Sequence, residues 1–315
     1  MSSAGSVTQR SAHDDPPHVV VVGGGFAGLA AGRALAGARV RVTLIDAHNF
    51  HTFQPLLYQV ATAGLDSASI AYPVRGVVQR RGNLDFRVGT VESVDPVGRR
   101  VCLEDGDELA YDWLIVAAGA VTATFGVPGV EEHAYPLKSL TDAIRLRAHL
   151  LDRFEEADAH PERIEDGDLT AVVVGGGPTG VELSGGLAEL FYTVLTHDYP
   201  RLDMGRARIV LLEATDRLLG SFSPRSSANA LDQLRKRGVE VRLGASVEEV
   251  APDHVRLSEG EVIPTRTLVW TAGVRASPLG ARLGLPPGPG GRVVVGPDLS
   301  VGERPEVFVI GDLAA

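Results

Sequence analysis

Runs of β-branched residues that stop at glycine, followed by small and apolar residues, set the rhythm of this chain. VVVVGGGFAGLAAGRALA (19–36) reads as a buried strand, a glycine turn and a helix, and VVVGGGPTGVELSGGLAEL (172–190) repeats that order. Two further strands, RVTLIDA and RIVLLEA, close on Asp46 and Glu213. Two more, YDWLIVAAGA and RTLVWTAGV, end in small-residue turns around Gly119 and Gly273. Continuous apolar runs of this kind suit strands buried on both faces of a parallel sheet. DAIRLRAHLLDRFEEA (142–157) lies in a helix expected from about 139 to 160, capped by Ser139 or Thr141 and compatible with either half of the chain. VFVIGDLAA (307–315) is a strand followed by Gly-Asp and helix formers.

The repeat is in register. Gly23 recurs as Gly175 about 152 positions later, and Gly119 recurs as Gly273 about 154 positions later. One module has been used twice, which predicts an α/β fold of two doubly wound, Rossmann-like domains. The second module is inserted in the first, because VFVIGDLAA would return the chain to the first sheet. The expected bounds are a first domain at 17–124 plus 290–315, a second at 125–289, and a disordered leader at 1–16. PPGPGG (286–291) reads as the return linker.

Composition narrows the partners. The 315 residues are 44% hydrophobic, enough for two cores, and the net charge of -10 with dispersed basic residues argues against nucleic acid or anionic lipid. Cys102 is the single cysteine, so neither a disulfide framework nor a thiolate metal site is available, and redox chemistry must come from a bound cofactor. The first residues lack a signal-peptide apolar stretch, and the best candidate for a membrane span, 19–31, is short and interrupted by four glycines. These features point to a cytoplasmic protein handling small molecules.

The glycine spacing has a chemical reason. In Gly-x-Gly-x-x-Gly the first glycine permits the tight turn, the second lets the backbone approach a pyrophosphate, and the third lets helix pack on strand. An acid at the end of the next strand accepts ribose hydroxyls. Gly23, Gly25, Gly28 and Asp46 make one such set, and Gly175, Gly177, Gly180 and Glu213 make the other. A lone motif can be a plain glycine-rich turn, and a lone strand-end acid can be an ordinary carboxylate; recurrence favours nucleotide binding. Two nucleotide modules without a substantial third domain imply two ligands that exchange electrons, a flavin and a nicotinamide. The first module is expected to hold FAD and the second NADH. Glu213 would repel a 2′-phosphate and so favour NADH over NADPH, a preference tempered by Arg217 and Arg225 nearby.

NFHTFQPLLYQVATAG (49–64) closely resembles the corresponding stretch of the type II NADH dehydrogenases, single-chain NADH:quinone oxidoreductases among the two-dinucleotide-domain flavoproteins. GGGPTGVELSGGLAEL and the 142–157 helix resemble the same family, and the likeness spans about residues 18–315. The resemblance implies transfer of hydride from NADH to FAD and then of two electrons to a quinone, without proton pumping. It places Asp312 on the flavin's ribityl chain and gives Glu182 a role in coupling proton movement to quinone reduction. The alternative for Glu182 is a first-turn helix acid stabilised by the dipole.

Further candidate FAD contacts are Phe26, Ala27, Ala47, Phe53, Gln54, Pro55, Val91, Ala118 and Gly119; Pro178, Thr179, Ala272 and Gly273 are the further candidates for NAD. Phe50, Phe53, Leu56, Leu57 and Tyr58 form an apolar patch that either walls off a flat ring or packs under the first domain. His48 and His51 invite a proton-donor reading, although an isolated histidine more often satisfies a local hydrogen bond. No metal site is expected. A disulfide reductase is excluded by the lone cysteine, while a soluble ferredoxin- or dye-type flavin reductase and an inactive nucleotide-binding fragment stay open. By the same resemblance the chain is truncated after Gly-Asp, the quinone-site motif and an amphipathic membrane-contacting region lying beyond it. Weak flavin retention and activity with soluble dyes are then expected. The oligomeric state, the acceptor and the status of the C-terminus are open at this level.

Overall fold

The structure, a computed structural model, describes residues 15–78 and 82–315. Most of the expected leader at 1–16 therefore lies outside the described residues. The described residues divide into two compact units, one of residues 15–51, 73–78, 82–120 and 276–315 and one of residues 52–72 and 121–275.

The first unit is built on a six-stranded sheet. Its order is Ser300–Val301, Arg304–Val309, Trp113–Val116, His18–Val22, Arg41–Asp46 and Leu84–Val88, parallel except for the outer hairpin. His18–Val22 is buried throughout, as its central place requires. Alternate side chains of this strand feed opposite faces: Val19 and Val21 pack with Leu29 of the helix Phe26–Ala34, while Val20 and Val22 pack with Val101 and Leu103. The second face is thus covered by an antiparallel meander, Val91–Asp95, Arg100–Leu103 and Glu108–Ala110, instead of the helices that a doubly wound sheet would carry.

The second unit repeats this plan. Its five parallel strands lie in the order Tyr135–Pro136, Thr267–Trp270, Thr170–Val174, Arg208–Glu213 and Val239–Leu243. Ala171 and Val173 face the helices Leu140–Ala159 and Pro178–Glu189, and Val172 and Val174 face a meander that supplies Val250, Val255, Leu257 and Ile263. The long helix starts at Ser139. Its hydroxyl accepts the Asp142 N–H at 3.1 Å and the Asp142 carboxylate accepts the Ser139 N–H at 2.7 Å, a capping box. Its stripe of Ala143, Leu146, Leu150, Phe154 and Ala157 is buried, which commits the helix to this unit.

The insertion read from the repeat is present. Strand Arg304–Val309 returns to lie parallel to Trp113–Val116, with Val307 opposite Leu114 and Val309 opposite Val116. The bounds differ in three places. Residues 52–72 group with the second unit, because Leu57, Val60, Ala61 and Ile70 are buried in the core that includes Leu146 and Leu150. The apolar patch therefore does not pack under the first domain as a group. The return falls at 276 rather than 290, since Ala276, Leu283 and Leu285 join the core of the first unit, and PPGPGG is a turn within that unit, closed by the Gly288 N–H on the Arg292 oxygen. At the other crossing the chain enters the second unit at 121, a few residues before the expected 125.

Candidate functional site

Each glycine loop follows the C-terminal end of its unit's central strand. Gly23 has φ +104° and Gly175 φ +111°, a conformation that only glycine adopts at low cost. Sterics also forbid a side chain there: a Cβ on Gly23 would lie 2.3 Å from the Ala117 oxygen, and one on Gly175 would lie 2.6 Å from the Ala272 Cα. Gly28 and Gly180 let helix meet loop, since a Cβ would fall 1.8 Å from the Gly23 oxygen and 1.9 Å from the Gly175 oxygen respectively. Gly25 and Gly177 are different. A Cβ on either would meet nothing within 4 Å, so the protein's own packing does not require glycine at these points.

Both residues are helix N-caps without a side-chain cap, and neither following helix has an acid in its first turn. Pro178 at the start of the second helix lacks an N–H that would be unpaired anyway. Each loop thus presents a bare, partly positive helix end over backbone stripped of side chains, a cradle for an anionic group.

The two acids are tied to their loops. Asp46 accepts the Gly24 N–H at 2.5 Å through Oδ2 and the His48 N–H at 2.8 Å through Oδ1. Glu213 accepts the Gly176 N–H at 2.6 Å through Oε2, and through Oε1 both the N–H and the hydroxyl of Thr215, each at 2.8 Å. Both carboxylates retain lone pairs for further donors. Thr215 was not legible from the motif; an acid followed two residues on by threonine is the only signal it gives. Thr271 was also missed: its hydroxyl bonds the Val174 oxygen at 2.9 Å and fixes the turn Ala272–Gly273 beside the second loop.

In the first unit, Phe26 and Ala27 open the helix after the loop, Ala47 follows Asp46, and Ala118–Gly119 follows the strand beside the central one. Gly311, at φ +71°, abuts Ala27, its Cβ position being 2.9 Å from the Ala27 Cβ. The return strand thereby delivers the exposed Asp312 to the same end of the sheet as the first loop. Val91 is buried in the core, which leaves its main chain as the part that a ligand could meet. His51 has a local partner, the Gly24 oxygen 3.1 Å from Nδ1, and its ring stands edge-on to Phe26. His48 is mostly exposed, with Nδ1 3.6 Å from Asp46.

In the second unit, Phe53 is 45% exposed and precedes the short turn Gln54–Leu56, where the Gln54 side chain accepts from Lys138 at 3.2 Å. Pro178 and Thr179 are exposed at the loop's rim, with Ala272 and Gly273 half-buried behind it. Glu182 lies one turn further along the helix, on the wall of a cavity of about 540 Å³ that Tyr58, Gln59, Gly186, Gln233 and Arg237 also line. It is exposed, and partial desolvation along this wall raises its carboxyl above the ordinary range. Arg217 donates to the Gly220 oxygen within its own turn, and Arg225 is exposed on the helix Pro224–Lys236. Among the described residues no cluster of three or more histidines, cysteines or acids could hold a metal ion.

The model of the pyridine nucleotide-disulphide oxidoreductase family matches residues 17–315, a stretch that takes in both sheets and both glycine loops. The sequence is 40% identical to the Type II NADH:quinone oxidoreductase Ndh of Mycobacterium tuberculosis, over 98% of this chain and 70% of the relative. It is 39% identical to NdhA of the same organism, over 94% of this chain and 66% of that one. The structure of NDH2 from Plasmodium falciparum in complex with NADH superposes with a TM-score of 0.88 over 95% of this chain and 64% of that chain; at 24% identity this shows the shared fold. The chain therefore belongs to the pyridine nucleotide-disulphide oxidoreductases, and within them to the type II NADH:quinone oxidoreductases.

Proposed function

We propose that this chain is an FAD-dependent NADH dehydrogenase of the NADH:quinone type, with FAD on the first glycine loop and NADH on the second. It spans 70% and 66% of the two curated relatives named above, so activity and acceptor are both part of the proposal. The observation that carries it is the pair Gly25 and Gly177. Nothing inside the protein requires glycine at either point, yet a diphosphate approaching a helix N-terminus does.

The residues divide the work in this reading. Gly23, Gly25 and Gly28 cradle the FAD pyrophosphate while Asp46 takes the ribose hydroxyls, and Asp312 adds an acceptor on the first unit that the second has no counterpart for. Phe26, Ala27, Ala47, Phe53, Gln54, Pro55, Val91, Ala118 and Gly119 are the remaining proposed FAD contacts. Gly175, Gly177, Pro178, Thr179 and Gly180 receive the NADH pyrophosphate, with Ala272 and Gly273 behind them. Glu213, already anchored by Gly176 and Thr215, accepts the adenosine ribose hydroxyls and disfavours a 2′-phosphate, so NADH is preferred to NADPH. Glu182 keeps its proton to higher pH than a fully solvated glutamate does, which suits a residue that holds a proton for quinone reduction. When bound, the flavin supplies the two-electron relay between NADH and a quinone. A cytoplasmic place of action and peripheral membrane contact belong to the same proposal.

The test is anaerobic. Protein reconstituted with flavin should select FAD over FMN, lose its flavin absorbance on addition of NADH, and recover it on addition of a short-chain quinone. Protein that takes up no flavin, or a bound flavin that NADH leaves oxidised, would refute the reading.

A further inference from the structure

Residues 124–127 form a turn in which the Val127 N–H donates to the Thr124 oxygen at 3.1 Å. Both central residues have positive φ, +53° at Phe125 and +73° at Gly126, the sign pattern of a type I′ turn. Asn-Gly is the usual occupant of such a turn, and a bulky aromatic at positive φ is a costly outlier. Phe125 is also 70% exposed, so its ring gains little from burial. A strained and exposed aromatic calls for a reason outside the protein's own stability.

The turn is held rigidly against the second glycine module. The Ala123 N–H donates to the Gly273 oxygen at 3.0 Å, and the Ala123 oxygen accepts the Trp270 indole N–H at 2.8 Å. The Phe125 ring occupies the space over Gly273: a Cβ there would be 3.0 Å from its Cζ and 3.3 Å from its Cε2.

Topology says which part of a dinucleotide would meet this ring. Strand Thr170–Val174 lies between Arg208–Glu213 and Thr267–Trp270. Glu213 fixes the adenosine ribose on one side of the loop, and the helix beginning at Pro178 takes the pyrophosphate in the middle. The other half of the ligand must then run out across the end of Thr267–Trp270, over Ala272 and Gly273. We propose that Phe125 is a contact for the nicotinamide ring of NAD(H), its turn strain being retained to hold an aromatic face there. This rests on the second module binding NADH.

The test compares wild type with F125A, F125G and F125Y in binding NAD(H) and ADP-ribose, which carries the adenosine diphosphate and lacks nicotinamide. Glycine suits the positive φ, so F125G keeps the fold while removing the ring. F125A and F125G are expected to weaken NAD(H) about tenfold and leave ADP-ribose unchanged, and F125Y to restore wild-type affinity. NAD(H) affinity unchanged in F125G, or an equal loss for both ligands, overturns the role of the ring. Wild-type protein that binds neither ligand overturns NADH binding at the second module, and this proposal with it.

Discussion

A Cβ on Gly28 would come within 1.8 Å of a backbone oxygen in the first unit, and one on Gly180 within 1.9 Å in the second. At this level the two loops are interchangeable. They diverge around the acid. Asp46 is held by two backbone N–H groups, whereas Glu213 is held by two backbone N–H groups and the Thr215 hydroxyl. They diverge again beside the strand next to the central one, where the first unit receives the six-residue return strand and its Gly311–Asp312 turn and the second has the two-residue strand Tyr135–Pro136 in the equivalent place. Repulsion between backbone atoms preserves the common part, and the surroundings of each loop are where two different ligands would be told apart.

The largest effect should come from the crowded glycines. G28A forces a backbone shift in the first loop and is expected to strip FAD, while G180A is expected to abolish NADH binding and leave FAD in place; each costs about 1–3 kcal/mol of stability. Flavin absorbance and NADH titration on both variants check this. Loss of both ligands in both variants, with folding intact, would break the comparison.

The acid should matter next. E213Q is expected to weaken NADH about tenfold or more and to narrow its advantage over NADPH, because a charged acceptor of ribose hydroxyls becomes a neutral one. T215V removes one donor to Glu213 and should weaken NADH a few-fold, in keeping with a net hydrogen-bond contribution of about 1 kcal/mol. Steady-state KM for both nucleotides reads out these two variants, and flavin content should not change in either.

The smallest effect is in stability against pH. Burial raises the Glu182 carboxyl, so the folded chain holds this proton where the unfolded chain has released it. Stability is therefore lost as pH rises from about 4.3, the unfolded value, through the raised folded value. E182Q removes that contribution, and its Tm should gain on wild type across this window and keep a constant margin above it. A margin that is already constant through the window would contradict the assignment.

Features dictated by local sterics were legible in the sequence: the glycine spacing, the acids that end the second strands, and the apolar runs of the central strands. Features dictated by distant partners were not. The helix Leu57–Ala61 carries an apolar face that fits any core, and only the stripe on Leu140–Ala159 commits it to the second unit. Ala276, Leu283 and Leu285 read as the end of the second domain until the strand Arg304–Val309 gives them a core to join. Phe125-Gly126 lacks the Asn-Gly signature, so its turn could not be read from residue type.

Two separate nucleotide cradles in one chain are tested most directly by counting the dinucleotides bound when FAD and NAD+ are both saturating. One FAD and one NAD+ per chain should bind together without competition. A single bound dinucleotide per chain, or displacement of one ligand by the other, would contradict it.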